Sequence, residues 1–277
     1  EGSIEEWMVY LHPSQRAIAN ANFNGPARVR GGPGTGKTVV ALHRARVLAR
    51  QRVEAPDKVL LTTFLSSLPK VWISLMGLLD ERALERLEIR NIDVLARDLV
   101  AQSHGRLNIL GGPERQRLVE PLLKRHDLDD AMAGNSQLLL DEFDAFLAGR
   151  GITELDDYLA LRRRGGGSAL LRADRERIFA AFTEYGASLR KRRAWDWPHL
   201  RLEALRLASE GAGPRYDGVV VDEAQDLSAV GVRLLMQLDR SKDHRNFLIV
   251  GDGQQSIYPG GFSLREIGVD IVGRSRV

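Results

Sequence analysis

The sequence predicts an α/β fold, a parallel sheet flanked by helices with a mainly helical inserted subdomain, and three observations carry that expectation. Short continuous apolar runs stand at residues 218–221 and 247–250, the pattern of strands covered on both faces, and two further strands are expected at the strand-like Ala27-Arg28-Val29-Arg30 and at the aliphatic and β-branched stretch Lys58 to Thr63. The stretches 27–30 and 58–63 are each followed by helical apolar spacing, over residues 39–49 and 64–79, and that alternation gives parallel strands. Between about Gly105 and Ala194 the strand signal fades, and Leu/Ala/Arg-rich segments alternate with glycine clusters at Gly111-Gly112 and Gly165-Gly166-Gly167. The expected division is therefore 1–104 with 195–277 for the sheet-bearing part and 105–194 for the insertion.

Taken in order, a short helix is expected over residues 14–24, after Pro13 and with Ser14 as its cap. The strand at 27–30 runs directly into Gly31-Gly32-Pro33-Gly34-Thr35-Gly36-Lys37-Thr38, and the helix of 39–49 follows. Pro69 is expected to interrupt the helix of 64–79, since a proline inside a helix removes one backbone donor and clashes with the preceding turn. No internal repeat is present.

Composition excludes several classes. With 277 residues, 43% hydrophobic and 28% charged, the chain fits neither a disordered segment nor a membrane protein, and no apolar run approaches the ~18 residues a spanning helix needs. The absence of cysteine removes disulfides, thiolate zinc sites and cysteine nucleophiles, in keeping with a cytoplasmic protein. The chain begins at Glu1, with neither methionine nor a charged-then-apolar leader, and reads as a cut from something longer. Forty Lys and Arg against 37 Asp and Glu leave a formal charge of +3, so attraction to a polyanion must come from clustering. Ten basic residues lie between Arg162 and Arg193 against three acids, a pattern that fits a solvated helical face and a phosphate-binding surface alike.

Gly31-x4-Gly36-Lys37-Thr38 fits a phosphate-binding loop, placed as the mechanism requires between a strand and a helix. Its glycines let backbone N–H groups turn inward around phosphate oxygens, and the helix start adds its positive end. Lys37 would reach the β- and γ-phosphates and the Thr38 hydroxyl would bind Mg²⁺. The complementary carboxylates follow the apolar run 219–221. Asp222 would hold the metal and Glu223 would polarise the attacking water.

With Gly32 to Thr38, Asp222-Glu223-Ala224-Gln225-Asp226, and Gly251-Asp252-Gly253-Gln254-Gln255-Ser256-Ile257-Tyr258, the sequence resembles motifs I, II and III of the UvrD/Rep/PcrA-like superfamily 1A DNA helicases, in matching order and spacing. The likeness covers roughly residues 7–104 and 195–277, with the insertion in the place of the family's helical subdomain 1B. The resemblance implies a RecA-like ATP-binding domain, with ATP and Mg²⁺ as cofactors. Gly32, Pro33, Gly34, Thr35, Gly36, Lys37 and Thr38 would cradle the nucleotide. Leu11-His12-Pro13-Ser14-Gln15 resembles the family's Q motif, which would set Gln15 against the adenine edge. Gln255 would couple the γ-phosphate to the DNA-binding surface. Thr62-Thr63-Phe64 resembles the start of motif Ia, so Thr63 and Phe64, with Tyr258 of motif III, would lie on a track for single-stranded DNA. Gln255-Ser256-Ile257-Tyr258 is of the UvrD type, which implies translocation in the 3′-to-5′ direction.

The sequence departs from the family at Leu65-Ser66-Ser67, where Asn-Lys-Ala is usual, at Asp93 where histidine is usual in motif Ib, and at Gly260 in place of an aromatic residue. Nothing after Tyr258 resembles motifs IV to VI, so the second RecA-like domain with its arginine fingers is expected to lie outside this chain. The fragment is expected to be a monomer that binds Mg-nucleotide and hydrolyses it very slowly. Two other readings stay open: a different P-loop ATPase of the AAA+ group, and a helicase-derived module that uses nucleotide for binding alone. Asp141, Glu142, Asp144, Asp156 and Asp157 are expected on solvated helix faces or as caps, and Trp195 and Trp197 as packing residues.

Overall fold

The computed structural model describes residues 10–51, 57–162, 170–252, 263–271 and 275–276. The chain enters through α1 (Pro13–Asn20), β1 (Ala27–Arg30) and α2 (Lys37–Gln51), continues through β2 (Val59–Thr63), α3 (Leu68–Asp80) and β3 (Leu87–Asn91), and turns into α4 (Ile92–His104). The predominantly helical stretch follows: β4 (Asn108–Ile109), α5 (Gly112–Arg125), α6 (Ser136–Glu142), α7 (Leu155–Ala160), α8 (Arg172–Lys191) and β5 (Ala194–Trp195). It returns through α9 (Trp197–Ser209), β6 (Gly218–Asp222), α10 (Ala229–Leu238), β7 (Phe247–Gly251) and β8 (Ser275–Arg276).

Six parallel strands form one sheet in the order β3-β2-β6-β7-β1-β8. Alternate residues of its inner strands feed opposite cores, which is why β6 and β7, buried on both faces, read as apolar runs up to their tips. Val59, Leu61, Val220, Leu248 and Val250 pack with Leu42, Leu48, Trp72 and Met76 under α1, α2 and α3. On the other face Leu60, Val219, Val221, Phe247 and Ile249 meet Leu95, Leu99, Leu200 and Leu235 from α4, α9 and α10. A third apolar cluster, from Val119 to Ala194, packs the helices of the middle stretch among themselves. That stretch leaves and returns through a two-strand parallel ribbon, β4 with β5.

Three local expectations are corrected. α1 starts at Pro13, one residue early, because His12 is its cap: the His12 ring accepts the Ser14 N–H, and Gln15 Oε1 accepts the His12 N–H at 3.2 Å. The helix also ends at Asn20, well before residue 24. Pro69 does not interrupt α3 but sits in its first turn, where the missing N–H has no helical acceptor to lose. The strand at Leu87–Asn91 went unread because it lies at the sheet edge and alternates buried and half-buried residues, with Glu88 and Arg90 on the wetter side.

Candidate nucleotide and metal site

The glycine loop connects β1 to α2 and needs its glycines. Gly34 and Gly36 adopt φ +73° and +79°, the left-handed region where a Cβ is costly, and a Cβ on Gly31 would stand 2.5 Å from Thr35 Oγ1. The turn is drawn tight by Thr35 Oγ1 and Lys37 Nζ, which both donate to the Gly32 carbonyl at 2.8 Å. Lys37, Thr38 and Val39 open the helix ahead of its first backbone bond, Val40 N–H to the Gly36 carbonyl at 3.1 Å, so their amides precede the helical ladder. No acid stands in that first turn to compete for them.

β6 lies two places from β1 in the sheet, and its tip brings the acids to this helix start. Thr38 Oγ1 donates to Asp222 Oδ2 at 2.7 Å across 184 residues. Asp222 is fully buried, and its other oxygen, Oδ1, has no hydrogen-bond partner. Burial pushes this carboxyl up to about 6, with the neighbouring Glu223 charge adding to the rise and the Thr38 bond opposing it. An orphaned, desolvated carboxylate oxygen beside a threonine hydroxyl is a donor set that suits a hard divalent cation. Glu223 adopts φ +53°, ψ +41°, a left-handed conformation that costs a residue other than glycine ~1–3 kcal/mol and concentrates at functional sites.

Gln15 belongs to the same neighbourhood: its Nε2 donates to the Thr35 carbonyl at 2.7 Å while its Oε1 holds the His12 amide, so both ends of the side chain are engaged. Pro33 lies exposed in the loop. Gln255 and Tyr258 lie outside the described residues.

On the opposite side of the sheet tips a cavity of about 660 Å³ is lined by Phe64, Trp197, Arg201, Asp144, Gln225 and Gly251, among others. The Phe64 ring is half-buried beneath Arg201, whose guanidinium carbon stands 5.3 Å from the ring centre, and Arg201 in turn is gripped by Asp93 at 2.6 and 2.8 Å. Asp93 is therefore an ion-pair partner that orients this arginine. Thr63 is fully buried, and its Oγ1 accepts the Leu65 N–H at 3.2 Å, so its side chain does not face the cavity surface as a track residue would.

The acids expected on solvated faces are only partly so. Glu142 is buried and accepts the Tyr158 hydroxyl at 2.5 Å, and Asp144 binds Arg115 through both oxygens. Arg115 also reaches Asp196, which caps α9 by accepting the His199 N–H and accepts the Tyr185 hydroxyl from α8 as well. This cluster joins α5 and α8 to α9, and the sequence offered no signal for it beyond Asp196 lying between two tryptophans. Of those, Trp195 packs edge-on against His104. The cations opening α8 are engaged locally: Arg172 pairs with Glu176, Arg177 with Asp127 and Asp174, and Arg175 donates to the carbonyls of Tyr158, Leu159 and Leu161.

A parallel sheet covered by helices on both faces, with a glycine loop feeding one helix and an acid pair at the tip of a nearby strand, defines a RecA-like α/β domain. The chain belongs to the UvrD/REP helicase N-terminal domain family, whose profile matches residues 11–262. It is similar to the ATP-dependent DNA helicase PcrA of Bacillus subtilis (strain 168), 23% identical over 270 residues, and to DNA helicase IV of Escherichia coli (strain K12), 25% identical over 292 residues. Each alignment covers 90% of this chain but only 33% and 40% of those proteins, so the chain spans well under half the length of either. Among the described residues no helix is long and apolar enough to cross a membrane.

Proposed function

We propose that this chain is the ATP-binding part of a helicase that couples ATP hydrolysis to 3′-to-5′ movement along single-stranded DNA. The observation that carries the reading is the Thr38–Asp222 hydrogen bond, which joins the phosphate-loop helix to the acidic strand tip. Residues 1–104 and 195–277 would form the RecA-like domain and 105–194 an insertion of the 1B kind, acting as a cytoplasmic monomer with a second RecA-like domain of the same protein.

In this reading the loop amides and Lys37 bind and orient the β- and γ-phosphates. Thr38 and Asp222 would hold Mg²⁺, with the orphaned Asp222 Oδ1 as the oxygen to serve it, directly or through its water shell. A magnesium ion held there would supply positive charge against that developing on the phosphate oxygens. Glu223 takes a proton from the attacking water as its oxygen bonds to the γ-phosphorus, and the bond to the β-phosphate oxygen breaks to release ADP. Gln255 would sense the γ-phosphate, and Gln15 would reach adenine by exchanging its present bond to Thr35. Phe64 supplies a ring for base stacking beside the cavity, and Tyr258 would supply another. A stimulating arginine from the second domain would be worth about 10³ to 10⁵ in rate, so this chain alone should turn over very slowly.

The test is Mg²⁺-dependent binding of a non-hydrolysable ATP analogue to the wild type and to Lys37→Ala. Binding that needs Mg²⁺ and weakens in the variant is expected. Equal affinity in the two forms would overturn the reading.

A further inference from the structure

Gln225 bridges the tips of two adjacent strands. Its Nε2 donates to Glu223 Oε2, and its Oε1 accepts the Asp252 N–H, just beyond β7, at 3.0 Å. Gly251 makes the approach feasible: a Cβ there would stand 2.5 Å from Gln225 Oε1 and 3.3 and 3.4 Å from the amide nitrogens of Ala224 and Gln225. Glu223 itself stands on a left-handed backbone, which aims its side chain away from the course the strand was taking.

We propose that Gln225 is a positioning residue that fixes the orientation of the Glu223 carboxylate by bracing it against the end of β7. One carboxylate oxygen is held by the amide and the other is left for water. The brace needs a donor at one end, an acceptor at the other and the full length of a glutamine. A glutamate would lose the donor and set a second negative charge beside Glu223, and a leucine would lose both bonds while keeping much of the volume. The proposal rests on the ATP-hydrolysis reading above, because it assigns Glu223 the task of accepting a proton.

The experiment uses the full-length protein that contains this chain, as wild type and as Gln225→Leu, Gln225→Glu and Gly251→Ala. The glycine variant pushes the amide away without altering either Gln225 or Glu223. Three quantities are read: affinity for a Mg²⁺-bound ATP analogue, single-turnover hydrolysis, and hydrogen exchange at the Asp252 amide. The expected result is retained analogue binding, hydrolysis lowered about 10²-fold in all three variants, and faster Asp252 exchange in Gln225→Leu and Gly251→Ala. Wild-type hydrolysis in Gln225→Leu, or unchanged Asp252 exchange, would overturn the brace while leaving the ATPase reading intact. Loss of analogue binding together with hydrolysis would overturn positioning in favour of a structural role. A wild-type protein that binds no nucleotide would overturn the ATPase reading, and the task assigned to Gln225 with it.

Discussion

The Thr38 hydroxyl donates a hydrogen bond to the Asp222 carboxylate at 2.7 Å, and that contact joins the start of α2 to the tip of β6. Asp222 is buried, so this bond is among the few things offsetting its lost hydration. Thr38→Val keeps the shape and removes the donor. It should lower the stability of the nucleotide-free protein by about 1.5–3 kcal/mol, the range for a hydrogen bond to a charged group. Urea unfolding at neutral pH checks this, and an unchanged midpoint would mean the contact contributes nothing.

The glycine loop should respond to methyl groups according to position. Gly36 has φ +79° and an added Cβ would lie 3.1 Å from Gln15 Nε2, whereas Gly32 is exposed and has no atom within 4 Å of such a carbon. Gly36→Ala should cost about 1–2 kcal/mol, and Gly32→Ala less than about 0.5 kcal/mol. Thermal unfolding of the pair, measured side by side, separates backbone strain from any general effect of enlarging the loop.

Asp196 should shape the acid limb of the stability curve. Burial alone would raise its carboxyl, but the His199 bond and charge, with Arg115, hold it at about 2. A folded value below the unfolded one means a contribution fully present above about pH 4 and lost as pH falls toward 2, worth about 2 kcal/mol. Asp196→Asn should flatten that limb while lowering stability at neutral pH, because Arg115 and Tyr185 lose a partner. Denaturant titrations at a series of pH values provide the check, and parallel curves for the two proteins would refute it.

Phe64 is the aromatic ring that the cavity presents beside Arg201. If bases stack there, Phe64→Ala should weaken single-stranded DNA binding by about 1–3 kcal/mol at fixed salt. Fluorescence anisotropy with a labelled oligonucleotide measures this, and wild-type affinity in the variant would take the ring off the track.

The parts legible in the sequence were those written in contiguous residues. The glycine loop, the acid pair after 219–221 and the apolar runs each announce themselves within a few positions, and the sheet brings Thr38 and Asp222 to within a hydrogen bond of each other. What escaped was written across the fold. β3 hid because an edge strand keeps a wetter face. The burial of Glu142 depends on Tyr158 from another helix, and Asp144 is held by Arg115 from a third. Gln225 drew no attention within its motif because its importance lies in a contact with Asp252, which no spacing rule reaches.

The position of β1 in the sheet has a consequence for how this protein is made. Its neighbours are β7 and β8, both beyond residue 246, so the strand that carries the glycine loop finds no hydrogen-bonding partner until residues beyond 246 have left the ribosome. The helices between β4 and β5 make their contacts nearby in sequence and can gather early. During synthesis β1 therefore waits longest among the described strands, an unpaired backbone edge in need of shielding until β7 and β8 arrive to enclose it.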